Sequence, residues 1–342
     1  MGYAGDSLVL LADKTFKRLD SLVEGDYILS SNEEIKQIIR IDEAYSTNLW
    51  SVKFKNFPSI YIDDKSKILA TKVVRENDVY ALTKKTFLNA ELLEKSLVIG
   101  VPYVSFTTEV DDSLETGIAW LYGKILSKGY ISFDRNFNVA VNDSKSNLEH
   151  YKKRLNCKTS QGINKKYRNI YLTFKNPNFL REFLVDKKEH KRFIHNKIMN
   201  SDVESLKEFL FSFIEESTIY DYSEKGFRFN TDSKYIAYQF IYILLKIFKR
   251  MGSVEEVRED DILDYLPNAR EMQNNFINKK PSYKKKKYAV FFDYERRNYL
   301  IKDNFIWLQL QSVKKLKNKS MPMFQLEIED GYPFICNNVL VK

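Results

Sequence analysis

Few side chains in this sequence are reactive on their own. Cys157 and Cys336 are the only cysteines, and their wide separation gives neither a disulfide framework nor the spacing of a metal site. The three histidines, His150, His190 and His195, all lie in the middle of the chain. We expect them to have surface or core roles rather than catalytic ones. A metal centre is therefore not expected, and a reducing, intracellular setting fits the cysteine usage.

Basic residues are the second chemical feature. Lys and Arg number 55 against 46 Asp and Glu, a surplus of nine positive charges. Several clusters, interleaved with Tyr and Phe, could contact phosphates: Lys165-Lys166-Tyr167-Arg168, Lys279-Lys280, the run Lys284, Lys285, Lys286 and Lys287, and Arg296-Arg297. This pattern favours nucleic acid as a partner. The alternative is a lysine-rich surface that keeps the protein solvated, and for the run from Lys284 to Lys287 a solvated loop.

The hydrophobic pattern predicts two domains that are interleaved in sequence. A chain of 342 residues is too long for one compact core. Residues 7–106 read as short strands separated by acidic, Gly and Asn positions, which predicts an all-β fold. Strand character returns from about residue 304 to the end. Between these segments the chain reads as helices and strands, so we expect a β domain interrupted by an α+β domain.

The middle segment contains an imperfect internal duplication. Helices are predicted near Gly117–Leu126, Asp202–Ile214 and Ser233–Arg250, with strand-like pieces at Tyr130–Phe133, Ile170–Phe174 and Gly226–Phe229. Ala119 and Gly123 lie on one face of the first helix, where small residues allow a second helix to approach closely.

The sequence has none of the signals of a membrane or secreted protein. No apolar run reaches the roughly 18 residues of a membrane span, and the first residues lack the pattern of a signal peptide. We expect a soluble, cytoplasmic protein, and a monomer.

The two ends of the sequence resemble the intein family of self-splicing proteins. The opening segment, Ala4-Gly5-Asp6-Ser7-Leu8-Val9-Leu10 with the run from Thr15 to Ser30, is similar to the first intein block. The closing segment, Phe324 to Asp330 and Phe334 to Val341, is similar to the last two blocks. The resemblance implies a horseshoe-like, all-β Hint splicing domain, here residues 4–108 and 300–342, after a short extein or start remnant at 1–3.

The middle of the sequence resembles a LAGLIDADG homing endonuclease. The stretch from Trp120 to Ile131 is similar to the first motif of that family, and the stretch from Phe209 to Ile219 to the second. The resemblance implies an α+β domain with pseudo-twofold internal duplication over residues 109–299. Each motif alone is weak, but two copies inserted between the halves of an intein are a specific arrangement.

The intein resemblance implies roles for six positions, most of them altered. Splicing starts with an acyl shift onto a Cys or Ser at the first intein residue. Ala4 matches that position and has no nucleophile. It is either an engineered block or a natural alanine at which the residue after the intein attacks directly. Asp63 and Ser66 match a Thr and a general acid/base His, so that histidine is missing.

Three further positions lie in the closing segment. Gln325 matches an Asp that assists the rearrangement, and Tyr332 matches a His that helps the final cleavage. Lys342 matches the penultimate residue before the asparagine that cyclises, which would be residue 343. The resemblance implies flanking exteins of a host protein as partners and no cofactor for splicing.

The endonuclease resemblance implies one acidic residue at the end of each of two helices, holding Mg²⁺ over the scissile phosphates. The first motif places Lys128 there, and lysine cannot coordinate Mg²⁺. The second motif offers Ser217 without a gap or Glu216 with a one-residue deletion, and Glu215 fills an earlier acidic position. We therefore expect a domain that does not cleave but still binds double-stranded DNA, with Mg²⁺ relevant only to an active enzyme.

Two functional hypotheses follow from the sequence. The first is an intein, a single-turnover acyl-transfer domain whose splicing is blocked at Ala4 and at the missing terminal asparagine. The second is a DNA-binding protein or homing endonuclease with a vestigial Hint domain.

Overall fold

The structure is a computed structural model of the whole chain, and it describes residues 2–31, 33–76, 79–103, 114–131, 139–142, 148–155, 157–164, 167–174, 193–223, 226–257, 287–295, 299–317 and 319–342. Beside the gaps, the side chains of residues 76, 79, 128–131, 142, 160–164, 167–169 and 216–223 are outside this description. The contacts divide the chain into two units. Unit 1 is Met1–Thr108, Gly252–Glu255 and Glu295–Lys342, and unit 2 is Glu109–Met251 and Glu256–Tyr294.

The strands of unit 1 come from both ends of the sequence. The first eleven are β1 Tyr3–Ala4, β2 Leu8–Leu10, β3 Phe16–Arg18, β4 Tyr27–Leu29, β5 Ile35–Ser46, β6 Leu49–Phe54, β7 Ile60–Asp63, β8 Lys67–Glu76, β9 Val79–Leu82, β10 Thr86–Asn89 and β11 Leu97–Pro102. The last five are β20 Leu300–Lys302, β21 Phe305–Leu316, β22 Met321–Ile328, β23 Phe334–Cys336 and β24 Val339–Val341. Short 3-10 turns lie at Leu19–Ser21, Ala90–Leu92 and Glu329–Gly331. The predicted β-rich character of these segments is confirmed.

These sixteen strands are connected in one hydrogen-bonded path. Its order is β3-β2-β23-β24-β8-β11-β21-β6-β7-β1-β22-β5-β4, with β9 and β10 on β8 and β20 on β21. Strands from the end of the sequence therefore lie between strands from its beginning: β24 pairs with β8, and β22 lies between β1 and β5. Neither segment could complete this sheet alone.

The tight turn between β23 and β24 explains two adjacent asparagines. Cys336 pairs with Val339, which leaves Asn337 and Asn338 as a two-residue hairpin loop. Both have positive φ, 47° and 68°. This is the turn type that suits right-twisted strands, and Asn tolerates it better than most residues. The turn aligns β24 so that Val341 pairs with Ile68 and the backbone reaches Lys342 beside Lys67.

Unit 2 contains the described helices. They are α1 Thr116–Lys128, α2 Leu148–Leu155, α3 Asn196–Asn200, α4 Val203–Ser217 and α5 Lys234–Phe248. Its strands are β12 Gly129–Ile131, β13 Val139–Asn142, β14 Lys158–Asn164, β15 Tyr167–Thr173, β16 Thr218–Ser223, β17 Gly226–Thr231 and β19 Lys287–Asp293. β18 Ser253–Val257 has its first three residues in unit 1 and its last two in unit 2. The two four-stranded sheets have the orders β12-β13-β15-β14 and β16-β17-β19-β18.

Each sheet follows directly on a helix. α1 is followed by β12, and Trp120, Leu121 and Ile125 are buried in one cluster with residues of β13, β15 and α2. α4 is followed by β16, and the rings of Phe213, Phe229 and Phe240 pack with centroids 4.6–5.2 Å apart. The same helix-then-sheet order thus occurs twice, once in each half of unit 2.

The third predicted helix is the most deeply buried. Ser233 caps α5 by accepting a hydrogen bond from Ile236 N at 3.2 Å. Residues 236–245 are all buried, so this helix is apolar on every side because it is enclosed. It ends at Phe248, two residues before the predicted Arg250, because Lys249 adopts the left-handed conformation with φ 54°.

No described helix is long and apolar enough to cross a membrane. Cys157 and Cys336 are both free.

Candidate functional site

Asp63 and Ser66 form a compact turn between β7 and β8. Asp63 Oδ1 accepts hydrogen bonds from Lys65 N at 3.1 Å, Ser66 N at 2.8 Å and Ser66 Oγ at 2.6 Å. The Asp63 side chain caps its own turn in this way, as Asx turns do. Both residues are buried, with Ser66 fully inaccessible.

This turn holds the backbone of Gly2. Ser66 Oγ lies 2.8 Å from both the nitrogen and the oxygen of Gly2, and Asp63 N donates to the Gly2 oxygen at 3.0 Å. We call the pair Asp63 and Ser66 the Gly2 clamp. Because a hydroxyl carries one proton, Ser66 can accept from Gly2 N–H while it donates to Asp63. The clamp therefore links a buried carboxyl group to a backbone nitrogen through one hydroxyl.

Ala4 lies two residues after Gly2, at the end of β1. It is buried and pairs with Met323 of β22, and its oxygen accepts a hydrogen bond from Ser7 N at 2.9 Å. The predicted first-residue position and the two predicted helper positions are thus in the same strand neighbourhood, but the backbone atoms that Ser66 contacts belong to Gly2.

The end of the chain reaches the same turn. Lys342 N donates to Lys67 O at 3.0 Å, and Lys67 N donates to Lys342 O at 3.1 Å. Tyr3 Oη lies 3.2 Å from both of these carbonyl oxygens. The consecutive residues Ser66 and Lys67 are therefore hydrogen-bonded to Gly2 and Lys342, respectively. No signal in the sequence indicated that Gly2, Tyr3 or Lys67 would take part.

A cavity of about 340 Å³ opens beside Gly2. Its lining is mainly polar and includes the predicted residues Asp63 and Gln325. Gln325 lies in β22 opposite Asp42 of β5. The remaining lining residues are Gly2, Asp42, Ala44, Tyr45, Ser46, Thr47, Asn48, Asp64, Lys65 and Met323. The structure thus brings Asp63 and Gln325, from opposite ends of the sequence, to one cavity, and Ser66 adjoins this cavity through Gly2.

Tyr332 has a different neighbourhood. Its ring lies 4.2 Å below Lys36 Nζ, and Lys36 is also 3.3 Å from Asp330 Oδ2. These are contacts of a half-buried surface group with β5, so the described contacts of Tyr332 do not join it to Gly2 or Lys342.

In unit 2 the two motif helices approach closely at Gly123 and Ser212. A Cβ built on Gly123 would lie 1.9 Å from Ser212 Oγ, 2.5 Å from Phe209 O and 3.0 Å from Phe213 N. Ser212 is buried, and its Oγ donates to Phe209 O at 2.9 Å within its own helix. Only glycine fits at position 123, as the small-residue pattern predicted.

An ion pair joins the same two helices. Lys124 Nζ lies 2.8 Å from Glu215 Oε2, with the lysine side chain 5% and the glutamate side chain 66% exposed. Lys124 also lies 5.6 Å from the ring of Trp120. The sequence did not single out Lys124, because a lysine inside an apolar helix reads as an exposed position.

Several predicted residues fall outside the description. Lys165, Lys166, Lys284, Lys285 and Lys286 are outside the described residues, and of Lys128, Arg168, Glu216 and Ser217 only the backbone is described. Lys287 begins β19 and is half-buried. Within the described part of the chain, no group of three or more His, Cys, Asp or Glu could hold a metal ion.

The described histidines have structural neighbours. His195 caps α3, with Nδ1 accepting from Lys197 N at 3.3 Å. His150 lies with its ring 5.3 Å from that of Trp120. These contacts agree with the expected surface or core roles, and His190 is outside the described residues.

The sequence matches no protein-family model, and it matches no curated protein. Solved structures similar to this chain include mesophilic variants of the homing endonuclease I-DmoI, with 12% identity and a TM-score of 0.33 over 52% of this chain and 88% of the other. Another is an I-DmoI variant in complex with its target DNA, with 13% identity and a TM-score of 0.32 over 52% and 86%. A third is the N-terminal LAGLIDADG domain of DUF199/WhiA, with 13% identity and a TM-score of 0.22 over 62% and 81%.

Proposed function

We propose that unit 1 is a protein-splicing domain of the intein type and that its first residue is Gly2. The observation that supports this most directly is the contact of Ser66 Oγ with Gly2 N and Gly2 O, both at 2.8 Å, beside the buried Asp63. Splicing begins by breaking the peptide bond in front of the first residue, so a helper group has to reach that residue's nitrogen. This assignment moves the first-residue position from Ala4 to Gly2.

The Gly2 clamp has the connectivity for proton transfer to that nitrogen. A thiol or hydroxyl on residue 2 attacks the carbonyl carbon of residue 1, the C–N bond breaks, and the nitrogen takes up a proton. Asp63, which accepts the Ser66 hydroxyl hydrogen bond, takes up the proton that the nucleophile loses and passes it to Ser66 Oγ. Ser66 gives its own proton to the nitrogen, so that Asp63 and Ser66 both return to their starting forms and the step balances. Asp63 and Ser66 together would then replace the missing histidine.

The contacts of Lys342 support the other half of the proposal. An asparagine at position 343 would follow directly on a residue that is hydrogen-bonded to Lys67 in both directions. Its side-chain nitrogen would attack its own carbonyl carbon and release the residue that follows. Since Gly2 and Ala4 both lack a nucleophile, the acyl shift cannot start from either residue of this sequence.

The experiment that tests this proposal maps the cleavage junction. A reporter protein is fused before residue 2, and Gly2→Cys, Ala4→Cys and Gly2→Ala are compared for cleavage by an added thiol, with the product ends found by mass spectrometry. The Gly2→Ala variant is the matched control, since it adds the same Cβ 2.7 Å from Met323 Cβ but no nucleophile. We expect cleavage before residue 2 in Gly2→Cys alone. Cleavage before residue 4 in Ala4→Cys would overturn the assignment.

The close approach of α1 and α4 at Gly123 supports the interpretation of unit 2 as a domain with two LAGLIDADG-type motifs. We propose as a second function that this unit binds DNA without cleaving it. If Gly123 and Ser212 are equivalent positions of two LAGLIDADG motifs, counting five residues onward gives Lys128 and Ser217, the last residues of α1 and α4. This favours the ungapped alternative, with Ser217 rather than Glu216. An ammonium and a hydroxyl do not form the carboxylate pair that Mg²⁺ requires, so the donor set does not fit the metal.

This second proposal is tested by selecting bound sequences from a random duplex DNA library and then incubating them with Mg²⁺. We expect the protein to retain duplex DNA, to lose it steeply as the salt concentration rises, and to cleave neither strand. Failure to retain duplex DNA even at low salt would contradict DNA binding, and double-strand cutting would contradict the loss of cleavage.

A further inference from the structure

Tyr3 is a buried tyrosine that neither the sequence nor the proposed proton transfer uses. Its side chain is 2% exposed, and its ring packs edge-on against Phe334 with the centroids 5.8 Å apart. Its backbone pairs with Phe324 on one side and Ile62 on the other. The backbone pairing of β1 and the Phe334 ring of β23 therefore hold the Tyr3 side chain in place.

The phenol oxygen lies at the pairing of Lys67 with Lys342. These two residues already form the two backbone hydrogen bonds of a closed antiparallel pair, and Tyr3 Oη is 3.2 Å from each carbonyl oxygen. Each carbonyl has a second lone pair that can accept another hydrogen bond. With one O–H, Tyr3 donates to the two oxygens in turn or shares the proton between them. The Tyr3 side chain thus connects β1 to residue 342 by a hydrogen bond, and we call this contact the tie.

The protonated form is the one that this arrangement requires. Two carbonyl oxygens face the phenol oxygen, and a phenolate would repel both of them. Burial, with a smaller effect of nearby Cys336, raises the pKa of Tyr3 well above its ordinary value. The phenol is therefore a hydrogen-bond donor throughout the neutral pH range.

The sequence neighbours of this contact are the proposed splicing groups. Gly2, immediately before Tyr3, is held by Ser66, immediately before Lys67. We propose that Tyr3 is a positioning residue that couples the two splice junctions, by holding residue 342 against β1, which follows Gly2 directly. This inference rests on the proposed splicing function. It adds that the C-terminal step depends on a side chain from the N-terminal strand.

The coupling acts on cyclisation through geometry. The side-chain nitrogen at position 343 has to reach the carbonyl carbon of the same residue. Holding residue 342 in place reduces the number of conformations in which these two atoms are too far apart to react. Removing the phenol O–H leaves both carbonyl oxygens with their backbone donors, so the fold is expected to survive. The loss of one hydrogen bond at residue 342 is expected to slow the C-terminal step about fivefold.

The test compares Tyr3→Phe with Tyr80→Phe, an exposed tyrosine of unit 1, in two settings. In the chain as it stands, amide hydrogen exchange is measured at Lys67 and Lys342. We expect faster exchange at both in Tyr3→Phe, with unchanged exchange at Leu8 and Asn337 as internal references. Unchanged exchange at Lys67 and Lys342 would overturn the tie, and this readout does not depend on any splicing.

In the second setting, Gly2→Cys with an asparagine at position 343 and a reporter at each end is followed over time. We expect Tyr3→Phe to slow release of the C-terminal reporter about fivefold and thiol cleavage before residue 2 by a smaller factor, because the Tyr3 hydroxyl also interacts with the Ser66 side chain. Equal slowing at both junctions would mean a general structural role and would overturn the coupling. If neither junction reacts in the parent protein, the splicing proposal and the coupling both fail, whereas the exchange result still decides whether the tie exists.

Discussion

Two glycine–serine contacts bring distant parts of this chain together, and they differ in what the serine does. At Gly2, the Ser66 hydroxyl faces the glycine backbone at 2.8 Å and connects it to Asp63. At Gly123, the Ser212 hydroxyl donates a hydrogen bond to Phe209 O within its own helix, and it contacts the glycine only by packing against it. The hydrogen bonds at Gly2 could carry a proton, whereas the contact at Gly123 only lets two helices pack closely. Substitutions at these four residues should therefore have effects of different kinds.

The largest effect is expected at the packing contact. Gly123→Ala places a methyl group against Ser212 Oγ and the backbone of α4, and the backbone cannot move aside cheaply. We expect unit 2 to lose about 2–3 kcal/mol of unfolding free energy, despite the helix propensity of alanine. Urea denaturation followed by circular dichroism measures this. The control is Gly117→Ala in the same helix, where the nearest backbone atom would be 3.1 Å away. Equal losses in both variants would contradict the packing account.

The next effect concerns the chemical contact. In the Gly2→Cys protein, Ser66→Ala removes the hydroxyl that joins Asp63 to Gly2 N. We expect thiol cleavage before residue 2 to slow about 100-fold, as when a general acid/base is lost. Ser212→Ala is the matched control and should leave the rate unchanged. A Ser66→Ala rate within threefold of the parent would show that the Gly2 clamp only supports the fold.

A smaller effect is expected at the ion pair between α1 and α4. Glu215→Gln removes the Glu215 charge from beside the buried Lys124 ammonium, whereas Lys124→Met leaves a glutamate that water already solvates. The exposure of Glu215 limits the strength of the pair. We expect Glu215→Gln to cost about 1 kcal/mol and Lys124→Met less than that. Thermal unfolding of both variants tests the order, and the reverse order would contradict the burial of Lys124.

The smallest effect is expected at the start of α4. Burial alone would raise the pKa of Asp202, but hydrogen bonds from Ser205 N and Ser205 Oγ, at 2.9 Å and 2.8 Å, lower it. A depressed pKa stabilises the fold above the unfolded value of about 3.9, and this stabilisation is lost as pH falls through the folded value. Asp202→Ala should cost about 0.5 kcal/mol at pH 7 and less at pH 3. A constant cost at both pH values, measured by urea denaturation, would show that the carboxylate charge contributes nothing.

The sequence predicted the elements of this fold better than the contacts of its site. The apolar periodicity of α1, α4 and α5 and the short strands of unit 1 were visible because they depend on local spacing. The interleaving of β22 and β24 with strands from the start of the chain was expected only through the intein resemblance. Asp63, Ser66 and Gln325 were singled out in the same way, and they lie at or beside one cavity.

The residues that the sequence missed are those whose role depends on register. Gly2 directly precedes β1 and Ala4 ends it, and the sequence pattern alone does not separate the two positions. The pairing of Tyr3 with Phe324 and Ile62 decides which backbone group meets Ser66. Tyr3 and Lys67 have no local signal, since an aromatic residue in a buried strand usually only fills the core. Lys124 was missed because its partner Glu215 is 91 residues away.

The central claim, that unit 1 is a splicing domain with Gly2 as its first residue, is tested most directly by restoring the whole reaction. The protein is made with Gly2→Cys, an asparagine at position 343 followed by cysteine, and a different reporter at each end, and the products are separated on a gel and sequenced. The claim predicts ligated reporters and a released segment that begins at residue 2. If neither ligation nor cleavage at either junction occurs while the protein remains folded, the claim is wrong, and DNA binding by unit 2 becomes the leading function.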